Sequence, residues 1–198
     1  MRRRSMLEVC AIGLAAAVCP PHLAMAVQKT GIRMARPFNL KEKAVKFNNG
    51  RTMPVLGLGT YSLHGKTCIR AVRAALDCGV RLIDTASSYG NEREVGLAVR
   101  DAVKNGLSRD EIFVTTKIYP TQFGNPQKAI EESLAKLDLG YIDLMLLHHP
   151  GRGDVAAYLA LEKAVEEGAV RSIGLSNWYI KELTDFVPQV DVVPALVQ

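Results

Sequence analysis

From residue 43 onward, short apolar runs alternate with longer stretches whose apolar positions recur every three or four residues. The first kind reads as buried strand and the second as amphipathic helix. Residues 55–59, Val-Leu-Gly-Leu-Gly, predict a short buried strand. Residues 67–77 then place Ile69, Val72, Ala75 and Leu76 at helical spacing, with Gly79 just past the end. Further strands are predicted at 80–84, 112–117, 142–147, 170–175 and 194–197, and further helices at 92–104, 126–137, 156–167 and 180–186. Asn105-Gly106, Gly140 and Gly168 supply stop signals for three of those helices. The pattern therefore predicts six strands and five intervening helices. The strands are apolar on both faces, as a parallel sheet covered by helices requires.

Two α/β architectures produce such a repeat, the doubly wound sheet and the (β/α) barrel. In the doubly wound nucleotide fold, Gly-x-Gly-x-x-Gly follows the first strand. Here Gly57-Leu58-Gly59 runs into Thr60-Tyr61-Ser62, and the third glycine is absent. Polar residues gather instead at the C-terminal ends of successive predicted strands: Asp84, Lys117, His148 and Ser176-Asn177. A barrel builds its active site at those ends. The expected fold is thus a (β/α)8 TIM barrel, incomplete here with about six strands. An open barrel of that kind exposes two apolar strand edges, an aggregation hazard.

The chain has 198 residues, 48% hydrophobic and 23% charged, an ordinary globular composition. Its net charge of +5 is unevenly spread: residues 1–50 hold nine Lys/Arg against two Asp/Glu, and the remainder sixteen against eighteen. The basic character belongs to the N-terminal part, and the repeat offers no nucleic-acid surface. Met1-Arg2-Arg3-Arg4, an apolar run over 9–19, Pro20-Pro21 and Ala24-Met25-Ala26 occur in the order of a secretory signal, expected over 1–26 with cleavage after Ala26. The run is too short to cross a bilayer of ~30 Å, so no membrane span is expected once the leader is removed. Arg3-Arg4-Ser5-Met6-Leu7 also resembles a twin-arginine signal, which exports folded protein. The protein would then be exported or periplasmic. The alternatives are a basic tail on a cytoplasmic protein, or a true start at Met34. Residues 27–42 read as a linker and 43–198 as the folded unit. Cys68 and Cys78 lie ten apart on one predicted helix, ~15 Å along its axis, too far for a disulfide. No spacing reads as a metal site.

The strand ends make chemical sense together. A tyrosine with an ordinary pKa near ~10 is a poor proton donor at neutral pH, and a cation within ~4–6 Å favours its phenolate. Tyr89 lies in the loop after Asp84, and Lys117 can be that cation. Asp84 can keep Lys117 charged and in place, and His148 can donate to a substrate oxygen. The set suits protonation of an alkoxide formed as hydride reaches a carbonyl carbon. Taken singly, each residue has a plainer reading: Asp84 a turn acid, Tyr89 an exposed turn residue, Lys117 solvated surface, His148 part of a structural loop. Their convergence at one end of consecutive strands favours the chemical reading.

Gly79-Val-Arg-Leu-Ile-Asp84-Thr-Ala-Ser-Ser-Tyr89-Gly-Asn-Glu92-Arg-Glu-Val-Gly96 resembles the most specific signature of the aldo-keto reductase family, with Val80 where an aromatic residue is usual. Residues 167–178 resemble its second signature, with Trp178 where Phe or Tyr is usual. The resemblance runs from about Val45 to Gln198. It implies an eight-stranded barrel that reduces aldehydes and ketones with NADPH, NADH being possible. It also implies a catalytic tetrad of Asp84, Tyr89, Lys117 and His148, with Tyr89 the general acid. Ser176, Asn177 and Gln198 match positions that bind the nicotinamide carboxamide, and Gly59, Thr60 and Asp84 adjoin the cofactor. Tyr61, His148 and His149 match substrate-pocket positions, Tyr119 is a weaker candidate, and Trp178 reads as packing. The implied partners are the cofactor and a small carbonyl compound. The family's later loops, which bind the pyrophosphate and adenosine 2′-phosphate and shape substrate choice, have no counterpart in the 198 residues, so the chain reads as the N-terminal three quarters of such a barrel. Two other readings compete: a non-catalytic or degenerate cofactor-binding barrel, and a Schiff-base aldolase using Lys117, which Asp84 and Tyr89 beside it argue against.

Overall fold

The computed structural model describes residues 43–198, together with the dipeptides Glu8–Val9 and Arg33–Met34, which pair as short parallel strands. The expected leader and linker otherwise lie outside the described residues. A hairpin comes first, β1 (Ala44–Lys46) antiparallel to β2 (Thr52–Pro54). A parallel sheet follows, its strands side by side in chain order: β3 (Gly57–Gly59), β4 (Leu82–Asp84), β5 (Phe113–Ile118), β6 (Leu144–Leu147) and β7 (Ile173–Leu175). Helices α1 (Gly65–Asp77), α2 (Glu92–Lys104), α3 (Pro126–Leu137) and α4 (Asp154–Glu166) make the crossovers, and α5 (Ile180–Phe186) follows β7. A strand order equal to the chain order is the wall of a βα barrel, left open here after five strands.

The strands expected at 80–84, 142–147 and 170–175 begin only at Leu82, Leu144 and Ile173, with Ile142 and Val170 joined by a single bridge, and two further expectations about strands need correction. The expected strand at 194–197 is a hydrogen-bonded segment joined by one bridge, Leu175 to Val197, with Ala195 N–H donating to Ile173 O at 2.8 Å and Gln198 N–H to Leu175 O at 2.9 Å. The strand expected at 55–59 begins only at Gly57. Val55 N–H donates to Lys43 O and still belongs to the hairpin, which leaves Leu56 67% exposed. The hairpin itself carries a signal the strand-helix alternation passes over, Asn49-Gly50, a strong short-range mark of a tight turn.

Alternation along each strand separates two cores. Ile83, Val114, Ile118, Met145, Leu147, Ile173 and Leu175 face outward, buried with Val72 and Leu76 of α1, Val95 and Val99 of α2, Ile130 of α3 and Leu161 of α4. The inward positions Leu82, Phe113, Leu144, Leu146 and Leu196 meet Phe47 and Met53 from the hairpin, which plugs the N-terminal end of the wall. Phe47 packs edge-on to Phe113 at 6.2 Å. Each large aliphatic side chain buried this way contributes about 1.5–3 kcal/mol. Glycine is required where backbones approach most closely: a Cβ on Gly174 would stand 2.3 Å from Leu196 O, and one on Gly96 only 2.0 Å from Leu137 O.

No helix among the described residues is long and apolar enough to cross a membrane. Cys68 is buried, Cys78 is exposed, and both are free.

Candidate active site

The same alternation that fills the interior with Leu82, Phe113, Leu144, Leu146 and Leu196 continues upward to Asp84, Lys117, His148 and Gln198. Strand register steps these ends by two residues from strand to strand: Asp84 pairs with Thr115, two before Lys117, and Lys117 with Leu146, two before His148. His148 N–H donates to Ile118 O, and Ser176 N–H to Leu147 O. A cleft of about 610 Å³ at this end is lined by Tyr61, Tyr89, Tyr119, His148, His149 and the segment Ser176-Asn177, with Ser88 and Gln198 at its margin.

Lys117, 1% exposed, donates to Asp84 Oδ1 at 2.5 Å and to Thr85 O at 2.9 Å. An ammonium has three protons, so one remains for a third acceptor. Its nitrogen lies 5.2 Å from the centre of the Tyr89 ring. Gln198 Nε2 donates to the other Asp84 oxygen at 3.1 Å. The His148 ring stands 5.7 Å from that of Tyr89, and Ser88 Oγ is 3.3 Å from its Nδ1. His149 stacks on His148 at 4.7 Å, and Tyr119 meets both rings edge-on. Tyr61, 73% exposed, leans on Tyr89 at 5.1 Å. Trp178 is buried against Phe186, in keeping with a packing role.

The electrostatics correct one expectation. Tyr89 was expected to have its pKa lowered by Lys117; instead it is raised, first by burial and then by the carboxylate of Asp84 and by Tyr61. Burial is the main cause, and the Asp84 carboxylate, paired with Lys117 beside the ring, adds to it. Burial also pulls Lys117 below the usual lysine value, against the opposing effect of Asp84. His148 is brought down to about 4 by burial, then by Lys117 and His149, so its imidazole is neutral at pH 7. A neutral imidazole donates from one nitrogen only. If Ser88 donates to Nδ1, the hydrogen sits on Nε2.

Loops are tied down around these groups. Thr60 donates from both N–H and Oγ1 to Asp84 O, at 2.9 and 3.1 Å, and anchors the loop after β3. The wholly buried Asn91 donates to Thr60 O and Leu63 O, both at 2.8 Å, and accepts from Thr85 Oγ1 at 2.7 Å. Asn177 adopts φ 66°, a left-handed conformation that asparagine tolerates better than most residues, and donates to His148 O at 2.8 Å. Gly59 ends β3 with open space above its Cα.

The sequence profile described as "Aldo/keto reductase family" matches residues 55–198. The chain belongs to the aldo/keto reductase family. A morphine 6-dehydrogenase of Pseudomonas putida is 39% identical over 163 residues, 80% of this chain and 54% of that protein. A methylglyoxal reductase of Yersinia pestis is 40% identical over 157 residues, 78% of this chain and 56% of that protein. The crystal structure of an aldo/keto reductase from Brucella melitensis aligns at TM-score 0.74 and 38% identity, covering 78% of this chain and 61% of that one. The chain thus spans little more than half the length of the curated relatives it matches.

Within this aldo/keto reductase wall, Tyr61, Tyr89, Tyr119, His148, His149, Ser176, Asn177 and Gln198 line one cleft, while Asp84 joins it through Gln198, Lys117 through Tyr89 and Thr60 through Asp84. The sequence reading missed Ser88 and gave Asn91 no role. Both act through contacts with residues distant in the chain, 60 positions away for Ser88 and 31 for Asn91 with Thr60. For Asn91 the local Gly90-Asn91-Glu92 stop-and-start was a usable signal, since it ends one turn and opens α2.

Proposed function

We propose that this barrel binds a nicotinamide cofactor, NADPH with NADH as second choice, and reduces a small aldehyde or ketone to the alcohol. The observation that carries the reading is the Asp84–Lys117 pair with the Tyr89 phenol and the His148 imidazole around one cleft. The donors present suit a carboxamide: Ser176 carries a hydroxyl, while Asn177 and Gln198 each carry both a donor and an acceptor. When bound, the nicotinamide supplies the hydride.

The rest of the chemistry falls to the chain's own residues. The raised pKa of Tyr89 keeps its phenol protonated at neutral pH but makes it a weak acid, so the proton moves only as charge builds on the substrate oxygen. As negative charge grows on the carbonyl oxygen, the phenol hydroxyl transfers its proton there. The Lys117 ammonium, close to the ring and with one proton uncommitted, stabilises the phenolate left behind. Asp84 keeps that ammonium charged against its burial. Neutral His148 donates from Nε2 to the same oxygen and orients the carbonyl. Because Lys117 is committed to Asp84 and Thr85, it is not free to form a Schiff base.

The deciding experiment follows cofactor binding by fluorescence quenching and turnover on an aldehyde panel, for the wild type and Tyr89→Phe. The expected result is reduction by the wild type, its loss by about 10²–10⁴-fold in the variant, and cofactor affinity unchanged between the two. Cofactor binding without turnover in the wild type would make this a non-catalytic cofactor-binding barrel. We also read residues 1–26 as an export leader, of twin-arginine type if the barrel travels folded with its cofactor. Mass spectrometry of the mature protein should then find Val27 first, and an intact Met1 or a start at Met34 would reject the leader.

A further inference from the structure

Two loops carry aromatic walls of the cleft, and a single side chain joins them. The turn Ser87–Tyr89 follows β4, and Tyr119 with the turn Pro120–Gln122 follows β5. Gln122 Oε1 accepts from Ser87 Oγ at 2.6 Å and from the Tyr119 N–H at 2.8 Å. A carboxamide oxygen has two lone pairs, and both are used here. One contact reaches across 35 residues of sequence and the other stays within its own turn. The rings carried by these loops each stand 5.7 Å from His148, Tyr89 at 73° and Tyr119 at 89°. Tyr119 is 38% exposed and meets His148 and His149 edge-on, so its ring is placed jointly by those contacts and by its backbone.

The structure assigns Gln122 the part of a positioning residue: its carbonyl oxygen latches the Ser87–Tyr89 turn to the Tyr119 backbone, and the spacing so fixed sets which carbonyl compounds fit beside His148. The assignment rests on the carbonyl-reducing reading of this cleft. Its structural half can be tested without turnover.

Amide hydrogen exchange on the whole chain reads the latch directly. Gln122→Leu removes the acceptor of the Tyr119 N–H, so faster exchange there is trivial. The informative amide is that of Tyr89, whose own acceptor, Ala86 O, is untouched by the substitution. The latch predicts exchange about 3–10-fold faster at Tyr89 in Gln122→Leu, and likewise at Tyr119 in Ser87→Ala. The double variant should be no faster than the singles, because each single already opens the latch. Gln122→Glu keeps an oxygen for both donors and should restore wild-type exchange. In turnover, Gln122→Leu should raise KM for the carbonyl compound by about 3–10-fold, more than it lowers kcat, with Gln122→Glu again restoring it. Unchanged exchange at Tyr89 in Gln122→Leu overturns the assignment. Coupled exchange with an unchanged KM overturns the specificity role. A wild type that binds cofactor and shows coupled exchange but reduces no aldehyde defeats the reading of the cleft while the latch stands.

Discussion

The two ends of the sheet are built from the same strands and handle charge differently. At the N-terminal end, Arg109 donates to Asp143 and to the carbonyls of Ile112, Leu139 and Tyr141. Asp143 also accepts from Val114 N–H at 3.0 Å. Arg171 meets Asp110 at 3.1 Å, Tyr141 donates to Asp110 at 2.8 Å, and the Tyr141 ring lies between the two guanidinium groups at 4.1 and 3.4 Å. A cleft of about 950 Å³ opens there beneath the hairpin, larger than the one among the tyrosines, yet Arg171, Asp110 and Asp143 on its walls are paired with one another. At the C-terminal end, the Asp84–Lys117 pair is complete, but a phenol and an imidazole beside it keep polar atoms turned to open space. Cleft size and unfinished hydrogen bonding therefore point to opposite ends, and the proposed site sits at the second. Where charges have finished finding partners, they serve the fold; where they have not, they await a ligand.

Exchanging the vulnerabilities of the two ends is the strongest way to break this comparison. Lys117→Met should cut carbonyl reduction by about 10²–10⁴-fold. It should cost less in stability, about 1–3 kcal/mol: Thr85 O and Asp84 lose their donor, but Asp84 is partly exposed and keeps the bond from Gln198. Asp143→Ala should do the reverse. It leaves Arg109 its three carbonyl acceptors but removes its buried counter-ion and the acceptor of the Val114 N–H, and should cost about 3–5 kcal/mol, read as a fall in Tm, with kcat unaltered in the protein that remains folded. If both variants lost activity and stability in the same proportion, the division between the two ends would not exist.

The sequence made the repeat legible because its punctuation is local. The helices expected at 92–104, 126–137 and 180–186 match α2, α3 and α5 residue for residue. Pro126 at the first helical position, with Asn125 Oδ1 accepting from Lys128 N–H, shows why a short-range rule suffices there. The hairpin escaped because each of its strands is three residues long and its core contribution rests on Phe47 and Met53, too few positions to display a period. The convergence of Asp84, Lys117 and His148 was legible because strand parity repeats across a parallel sheet. The Tyr89 pKa was not, since its direction is set first by how deeply the ring is buried and then by its closeness to Asp84, neither of which a spacing in sequence encodes. Ser88 and Gln122 were invisible for the same reason.

A smaller effect separates the ends by pH. The ordinary imidazole value is 6.5, and that of His148 is about 4. Between the two the unfolded chain takes up a proton that the folded chain refuses. Stability contributed by neutral His148 is therefore full above about pH 6.5 and is lost as pH falls toward 4. Over that window the wild type should lose more Tm than His148→Gln, and the difference between them should stay constant above pH 7. Parallel curves from pH 7 to 4 would mean that His148 is not desolvated as its surroundings imply.

The smallest effect concerns backbone strain at the C-terminal end. Ser62 and Asn177 both hold left-handed conformations, φ 63° and 66°, which cost a residue with a Cβ about 1–2 kcal/mol. The two differ in what their side chains do. Asn177 donates to His148 O and to Ser176 Oγ, so its strain positions a polar group at the cleft. The hydroxyl of Ser62 makes no hydrogen bond among the described residues. Ser62→Gly relieves the same strain and loses no side-chain bond, although glycine frees the unfolded chain and takes back part of the gain. A net stabilisation of about 0.5–1 kcal/mol is expected from Ser62→Gly, and none or a loss from Asn177→Gly, because there the relief is offset by two broken hydrogen bonds. Equal gains at both positions would show that the Asn177 amide contributes nothing, and that strain at this end of the sheet is not tied to the cleft.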